Sequence, residues 1–323
     1  MSKEGTAVAP AAAKKGLAKR LAGLILGIVV LVVSMMIPGS EELSHQGIMS
    51  LGILLFAVVL WIFDTLPVGV TGLLGAILLA VFGVVPDFAT AWSGFTASTV
   101  WFIFGVFVMT AIMIKTSLGR RLVRGLVSKA GTKSKAVILA YMVATAIVSM
   151  FMTDTGAVAV GMALALPFLN AINAKEKKKN LGRCLAMGIA FAAIIGGFIT
   201  PFGDSLNILC AGLLTSTYGV TIGFFEWVIP GLIIALIMIP VLWLIICKVF
   251  PPEELTPEEA ALVADKDDAP MTALDKKSLV YMIVLVAGFI AGNWVPVLSN
   301  ANVIMVMLAV AFVPGIDILT WKE

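Results

Sequence analysis

The chain has 323 residues, 60% hydrophobic and only 13% charged, with 22 basic and 19 acidic side chains and a net charge of +3. A soluble domain carries roughly 25% charged residues, so this composition excludes a soluble globular protein and defines a polytopic membrane protein. The small net charge gives no basis for a nucleic-acid partner, and one histidine with three cysteines lacking CxxC spacing gives none for a zinc site, a disulfide framework or histidine catalysis.

Residues 1–20 read as a disordered basic tail, with Lys14, Lys15, Lys19 and Arg20 ahead of a retained first span at 21–37. Further spans follow at 47–63, 68–85 and 99–114. The stretch 115–135 is basic, but Leu118, Leu122, Val123, Leu126 and Val127 recur at helical spacing, which predicts an amphipathic interfacial helix. Two short apolar arms, 136–152 and 156–172, flank Thr153-Asp154-Thr155. A longer apolar run, 185–214, is interrupted between Thr200 and Asn207. A span at 227–247, an acidic Pro/Ala-rich segment at 251–277 read as a solvated loop, and spans at 279–295 and 303–313 complete the chain.

Charge tests this layout. With the N-terminus in the cytoplasm, as its lysines indicate, the loops after the first and third spans and those near Tyr218 and Asn293 lie outside. These four loops hold no Lys or Arg, and all 22 basic residues fall on the cytoplasmic side. The pair of arms then starts and finishes on one side. Each arm is about 17 residues, at the lower limit for ~30 Å of hydrocarbon. Two short full spans and a re-entrant hairpin both fit.

The second interruption is better defined. A run of 185–214 is long for one span and short for two. Pro201 disrupts the helix before it, and Gly196, Gly197 and Gly203 permit close backbone approach. A broken helix is predicted. Paired discontinuous apolar segments are the sequence mark of a secondary transporter's midplane site. A hard cation wants several oxygens, and Ser149, Thr153, Asp154, the backbone at Gly203, Ser205 and Asn207 offer them. An anionic solute wants hydroxyl and amide donors and a helix N-terminus, which Thr153, Thr155 and the arm starting at Gly156 supply, with Thr200 and Ser205 across the gap. Asp154 and Asp204 also suit helix N-caps. Against capping alone, an acid at membrane depth is costly and marks an ion or proton path. Asp64, at the boundary after the second span, suits a structural role.

Four stretches carry a family resemblance: LWIFDTLPVGVTGLL, TVWFIFGVFVMTAIMIKTSLGRRL, SMFMTDTGAVAVGMALALP and IGGFITPFGDSLN. In this order they resemble the divalent-anion/sodium symporter family, carriers of di- and tricarboxylates or sulfate. The resemblance implies an all-α, inverted-repeat, elevator-type fold in a homodimer in the cell membrane. Residues 21–114 would form scaffold helices, 115–135 the interfacial helix, and 136–217 the hairpin and broken helix of the transport domain. Residues 218–250 would form the next helix, 251–277 a cytoplasmic loop, and 278–323 the start of a second repeat, as expected of a partial gene product. It implies Na⁺ on Ser149, Thr153, Asp154, Gly203 and Asn207, substrate at Thr153, Asp154 and Thr155, and no cofactor beyond a coupling Na⁺ or H⁺. Asp154 stands where the family has an amide, and Asp204-Ser205 where it has Thr-Pro. Asp154 is therefore expected to strengthen cation binding or to take a proton, and Asp204 is the second candidate for protonation. A non-transporting membrane scaffold is one alternative. An intramembrane aspartyl protease pairing Asp154 with Asp204 is the other, although its motifs match poorly.

Overall fold

The computed structural model describes residues 10–173, 177–264 and 270–320. Every regular element among them is a helix. Six are long and apolar enough to cross a membrane, and three apolar helices are shorter. The chain is an all-α polytopic membrane protein. It divides into two compact units, one up to Ala97 and one from Ser98.

The first unit holds α1 (Pro10–Met36), α2 (His45–Ile62), α3 (Val68–Val81) and the short α4 (Phe88–Trp92), followed by a 3-10 turn, Ser93–Thr96. Helices α1 and α2 pack closely because small residues face the contact. A Cβ at Gly27 would lie 2.8 Å from the Phe56 ring, and one at Gly52 would strike Ser34. Helix α1 begins at Pro10, ahead of the apolar run, so residues 10–20 are helical and the expected disordered tail is corrected there. Pro fits a first helical position, and the Ala and Lys that follow are strong helix formers. Residues 1–9 lie outside the described residues. Lys19 Nζ reaches Asp64 Oδ2 at 2.9 Å, and this bond and charge hold the exposed Asp64 carboxyl below its ordinary value. Asp64 also takes a positive φ of 50° at the turn leaving α2, a conformation Asp tolerates better than most residues. Its place is structural, at a helix corner.

The second unit begins with α5 (Ser98–Lys115) and α6 (Leu118–Val127), whose apolar face buries Val123 and Val127. Next come α7 (Ser134–Ser149), α8 (Asp154–Asn173), α9 (Lys179–Ile199), α10 (Ser205–Tyr218) and α11 (Phe224–Val249). The unit closes with α12 (Pro257–Ala264), α13 (Ala273–Ala291), a 3-10 turn and α14 (Asn300–Val310). Its core lies where α9 packs against α7, α8 and α11, with Ile138, Met142, Leu185, Ile189 and Ala193 fully buried. Glycine lets backbones touch here. A Cβ at Gly196 would lie 2.7 Å from the Ala146 carbonyl carbon, and one at Gly231 2.9 Å from Ile199 Cα.

The segment 251–277 is not a simple solvated loop. Helix α12 folds back on α8, and its Glu259 is buried, as is Asp275 at the start of α13. Lys178 Nζ meets Glu259 Oε2 at 3.0 Å and donates to the Glu254 carbonyl at 2.6 Å. The Glu253 carboxylate accepts the Asn180 and Leu181 amides at 3.1 and 2.8 Å. Acidic composition reads as solvent-facing, yet Glu253 is spent on the N-terminus of α9, where orphan amides and the helix dipole favour it, Glu259 on Lys178, and Asp275 on the Ser117 and Thr272 amides.

Candidate functional site

The two sequence interruptions are both helix breaks. Residues 150–153 separate α7 from α8, and residues 200–204 separate α9 from α10. The second break follows from Pro201. The residue before a proline is driven out of the helical region, and Thr200 is extended at φ −118°, ψ 153°. The loop is pinned by Phe202, 1% exposed, whose ring stacks on Phe289 of α13 at 4.8 Å and on Phe224 of α11 at 5.9 Å.

Hydrogen bonds join the breaks. Thr200 Oγ1 donates to the Met150 carbonyl at 2.7 Å. Buried Asn207 gives both amide hydrogens back to α9, to the Gly197 and Thr200 carbonyls at 2.9 Å each. These are carbonyls that the end of a helix leaves unpaired. The Thr153 amide donates to Thr110 Oγ1 of α5 at 3.1 Å.

The centre of the site is a close approach of oxygens. A Cβ at Gly197 would collide with Asp154 Oδ1 and lie 3.2 Å from the Gly203 carbonyl oxygen. A Cβ at Gly203 would collide with the Gly197 carbonyl and lie 2.8 Å from that of Ser149. One carboxylate oxygen and three main-chain oxygens therefore lie against the two touching glycines, Gly197 and Gly203. Ser149 Oγ stands beside them, 2.7 Å from the Ala193 carbonyl and 3.1 Å from Asp154 Oδ1. A hydroxyl has one proton, so it cannot donate fully to both acceptors. A positive charge among these oxygens would relieve their repulsion. Oxygen donors gathered around one point are what a hard cation requires.

Ser149, Asp154, Gly203, Thr200 and Asn207 are thus brought together. Thr153 contributes its amide to the contact with α5, and its side chain is half-buried. Thr155 is exposed on the first turn of α8. Asp204 caps α10, accepting from the Leu206 amide at 3.2 Å and from Ser205 Oγ at 3.3 Å. That binds Ser205 and Asp204 to each other and turns Asp204 toward its own helix. Three contributors were not among the predicted site residues: the Ala193 and Gly197 carbonyls and Thr110. Gly196-Gly197 signalled the close approach in sequence, whereas a lone threonine in an apolar span carries no signal for Thr110.

These features define a helical, multi-pass membrane protein with an oxygen-lined site between a hairpin tip and a broken helix. A family model described as citrate transporter matches residues 58–320, and the chain belongs to this family, a family of transporters rather than enzymes. The resemblance carried by the four sequence stretches stands with it. Among curated proteins, the chain is 29% identical over 236 residues to the sodium-dependent dicarboxylate transporter SdcS of Staphylococcus saprophyticus, covering 70% of this chain and 45% of that protein. It is 26% identical over 234 residues to the transporter of the same name from Staphylococcus aureus strain USA300, with the same coverage. The chain spans less than half the length of these relatives.

Proposed function

We propose that this chain supplies one hairpin and one broken helix of a secondary transporter that couples Na⁺ to the symport of a di- or tricarboxylate or a related divalent anion such as sulfate. The observation that carries the reading is the set of oxygens at the contact of Gly197 with Gly203: the Asp154 carboxylate, the Ser149 hydroxyl and the Ser149, Gly197 and Gly203 carbonyls. Na⁺ would sit among these oxygens. The anionic solute would lie beside it, near Thr153, Thr155, Thr200 and Ser205. There the N-terminus of α8 offers partial positive charge, and the bound cation offsets the Asp154 carboxylate. The 29% identity to a sodium-dependent dicarboxylate transporter supports both the ion and the solute class. On the same reading the hairpin is re-entrant, the N-terminus is cytoplasmic in the plasma membrane, and protomers pair as elevator-type homodimers.

That test is uptake of labelled succinate, citrate and sulfate into proteoliposomes of the full-length gene product, with and without an inward Na⁺ gradient. Na⁺-dependent uptake of one of these anions is expected, with Asp154→Asn and Ser149→Ala raising the Na⁺ concentration required. Uptake indifferent to Na⁺ and to both substitutions would remove the assignment. A protein that binds neither Na⁺ nor any of the three anions would favour a membrane scaffold.

A further inference from the structure

Away from the breaks, a cavity of about 260 Å³ lies between α6, α7, α8 and α12. One face of α8 makes the space. Ala163, Pro167 and Ala171 recur every four residues and so share a face, and their short side chains leave room that longer ones would fill. All three line the cavity. Ala163 stands about 14 Å along α8 from Asp154 at 1.5 Å per residue, so this cavity is separate from the oxygen-lined site.

One wall is polar. Tyr141 of α7 is 4% exposed and lines the cavity, and its hydroxyl has no hydrogen-bond partner among the described residues. Tyr281 is just as buried, yet it donates to the Met307 carbonyl at 2.9 Å. A buried phenol is costly until it is paired, so Tyr141 calls for an acceptor inside the cavity. Arg124 of α6 also lines it, near enough for its charge to act on the phenol. A guanidinium carries five N–H donors, more than one carboxylate can accept. The rest of the wall is apolar, with Val123 on α6, Phe168 on α8 and Leu262 on α12. At ~30 Å³ per water, the volume is that of about nine water molecules, or of a ligand with about as many non-hydrogen atoms.

We infer that this cavity binds a short monocarboxylate of about six carbons, its carboxylate on Arg124 and the Tyr141 hydroxyl and its chain against Phe168 and Leu262. Each part of the ligand answers an observation: the acceptor answers the unpaired phenol, the charge the guanidinium, the hydrocarbon the apolar wall, and the length the volume. A dicarboxylate would press its second charge against that wall. An alcohol of the same length would forgo the charge-assisted bonds. A helix of further protein, ~10 Å across with its side chains, is too wide to enter. The inference is independent of transport.

It is tested by isothermal titration of the purified full-length protein in detergent with hexanoate, hexanol and acetate, and with hexanoate in saturating succinate. Hexanoate should bind at least roughly tenfold more tightly than hexanol or acetate and should not be displaced by succinate. Tyr141→Phe, which removes one oxygen and keeps the ring, should weaken hexanoate by about fivefold or more. Arg124→Gln should bring hexanoate down to the level of hexanol. Leu262→Trp, at an exposed position of α12, should fill the cavity and abolish binding. No binding of hexanoate, equal binding of hexanoate and hexanol, displacement by succinate, or hexanoate binding unchanged in Tyr141→Phe and Leu262→Trp would overturn the assignment.

Discussion

Replacing Lys178 by Met removes one half of the buried pair that fastens α12 beneath the hairpin. Lys178 and Glu259 side chains are 4% and 7% exposed, and their charged atoms are 3.0 Å apart. At an effective dielectric of about 20, the attraction is about 5.5 kcal/mol. Withdrawing each ion from water costs several kcal/mol, so the intact pair adds little compared with two apolar side chains. Removing only the lysine is different, because Glu259 stays buried with its charge unmatched at a cost of about 3–5 kcal/mol. The Glu254 carbonyl loses its donor as well. The penalty falls on the local attachment of 251–264. Hydrogen exchange at the amides it protects, Thr256 and Leu181, is therefore the assay. Exchange in Lys178→Met should be faster by about a hundredfold or more, and the double variant Lys178→Met/Glu259→Met should recover most of the loss. Acceleration of less than about fivefold, or a double variant no better than the single, would refute the argument.

Other outcomes follow from the same geometry. Burial pushes the Glu259 carboxyl up, but the Thr256 amide and Lys178 outweigh it and hold the group below its ordinary value of 4.5. This attachment is therefore fully present above pH 4.5 and lost as pH falls through the lowered value, which pH-dependent proteolysis of 251–264 would register. Gly197→Ala should drive a methyl into Asp154 Oδ1 and weaken Na⁺ binding by at least about tenfold in isothermal titration. Asn207→Leu should cost about 1–3 kcal/mol by leaving the Gly197 and Thr200 carbonyls without their donor, seen as a lower melting temperature in detergent. Thr110→Val removes the acceptor of the Thr153 amide, and exchange at that amide should accelerate by roughly fivefold or more.

The all-helical, multi-pass fold was legible from composition and apolar runs, because membrane insertion forces hydrophobicity and helix together. The second break was legible because Pro201 and its glycines act locally. The long-range pairings were not. Nothing in the sequence places Ala193 opposite Ser149, which depends on how α7 and α9 cross, or sends Asn207 back to Gly197, which depends on how the chain turns at 200–204. The acidic segment misled because Glu253 and Glu259 serve helix ends and a buried lysine rather than water. Asp204 admitted both capping and ion binding, and only its contact with the Leu206 amide shows which partner it has taken.

The glycine contacts around α9 have a mechanical consequence. At Gly196 it meets the backbone of α7, and at Ile199 that of α11 through Gly231, with no layer of flexible side chains between. Such a joint has almost no compliance. The end of α9 cannot slide or tilt without dragging α7 and α11, so these three helices behave as one stiff body as far as the break. Past the break, the start of α10 is tied to the same body, because Asn207 holds the Gly197 carbonyl and Phe202 is clamped between the Phe224 and Phe289 rings.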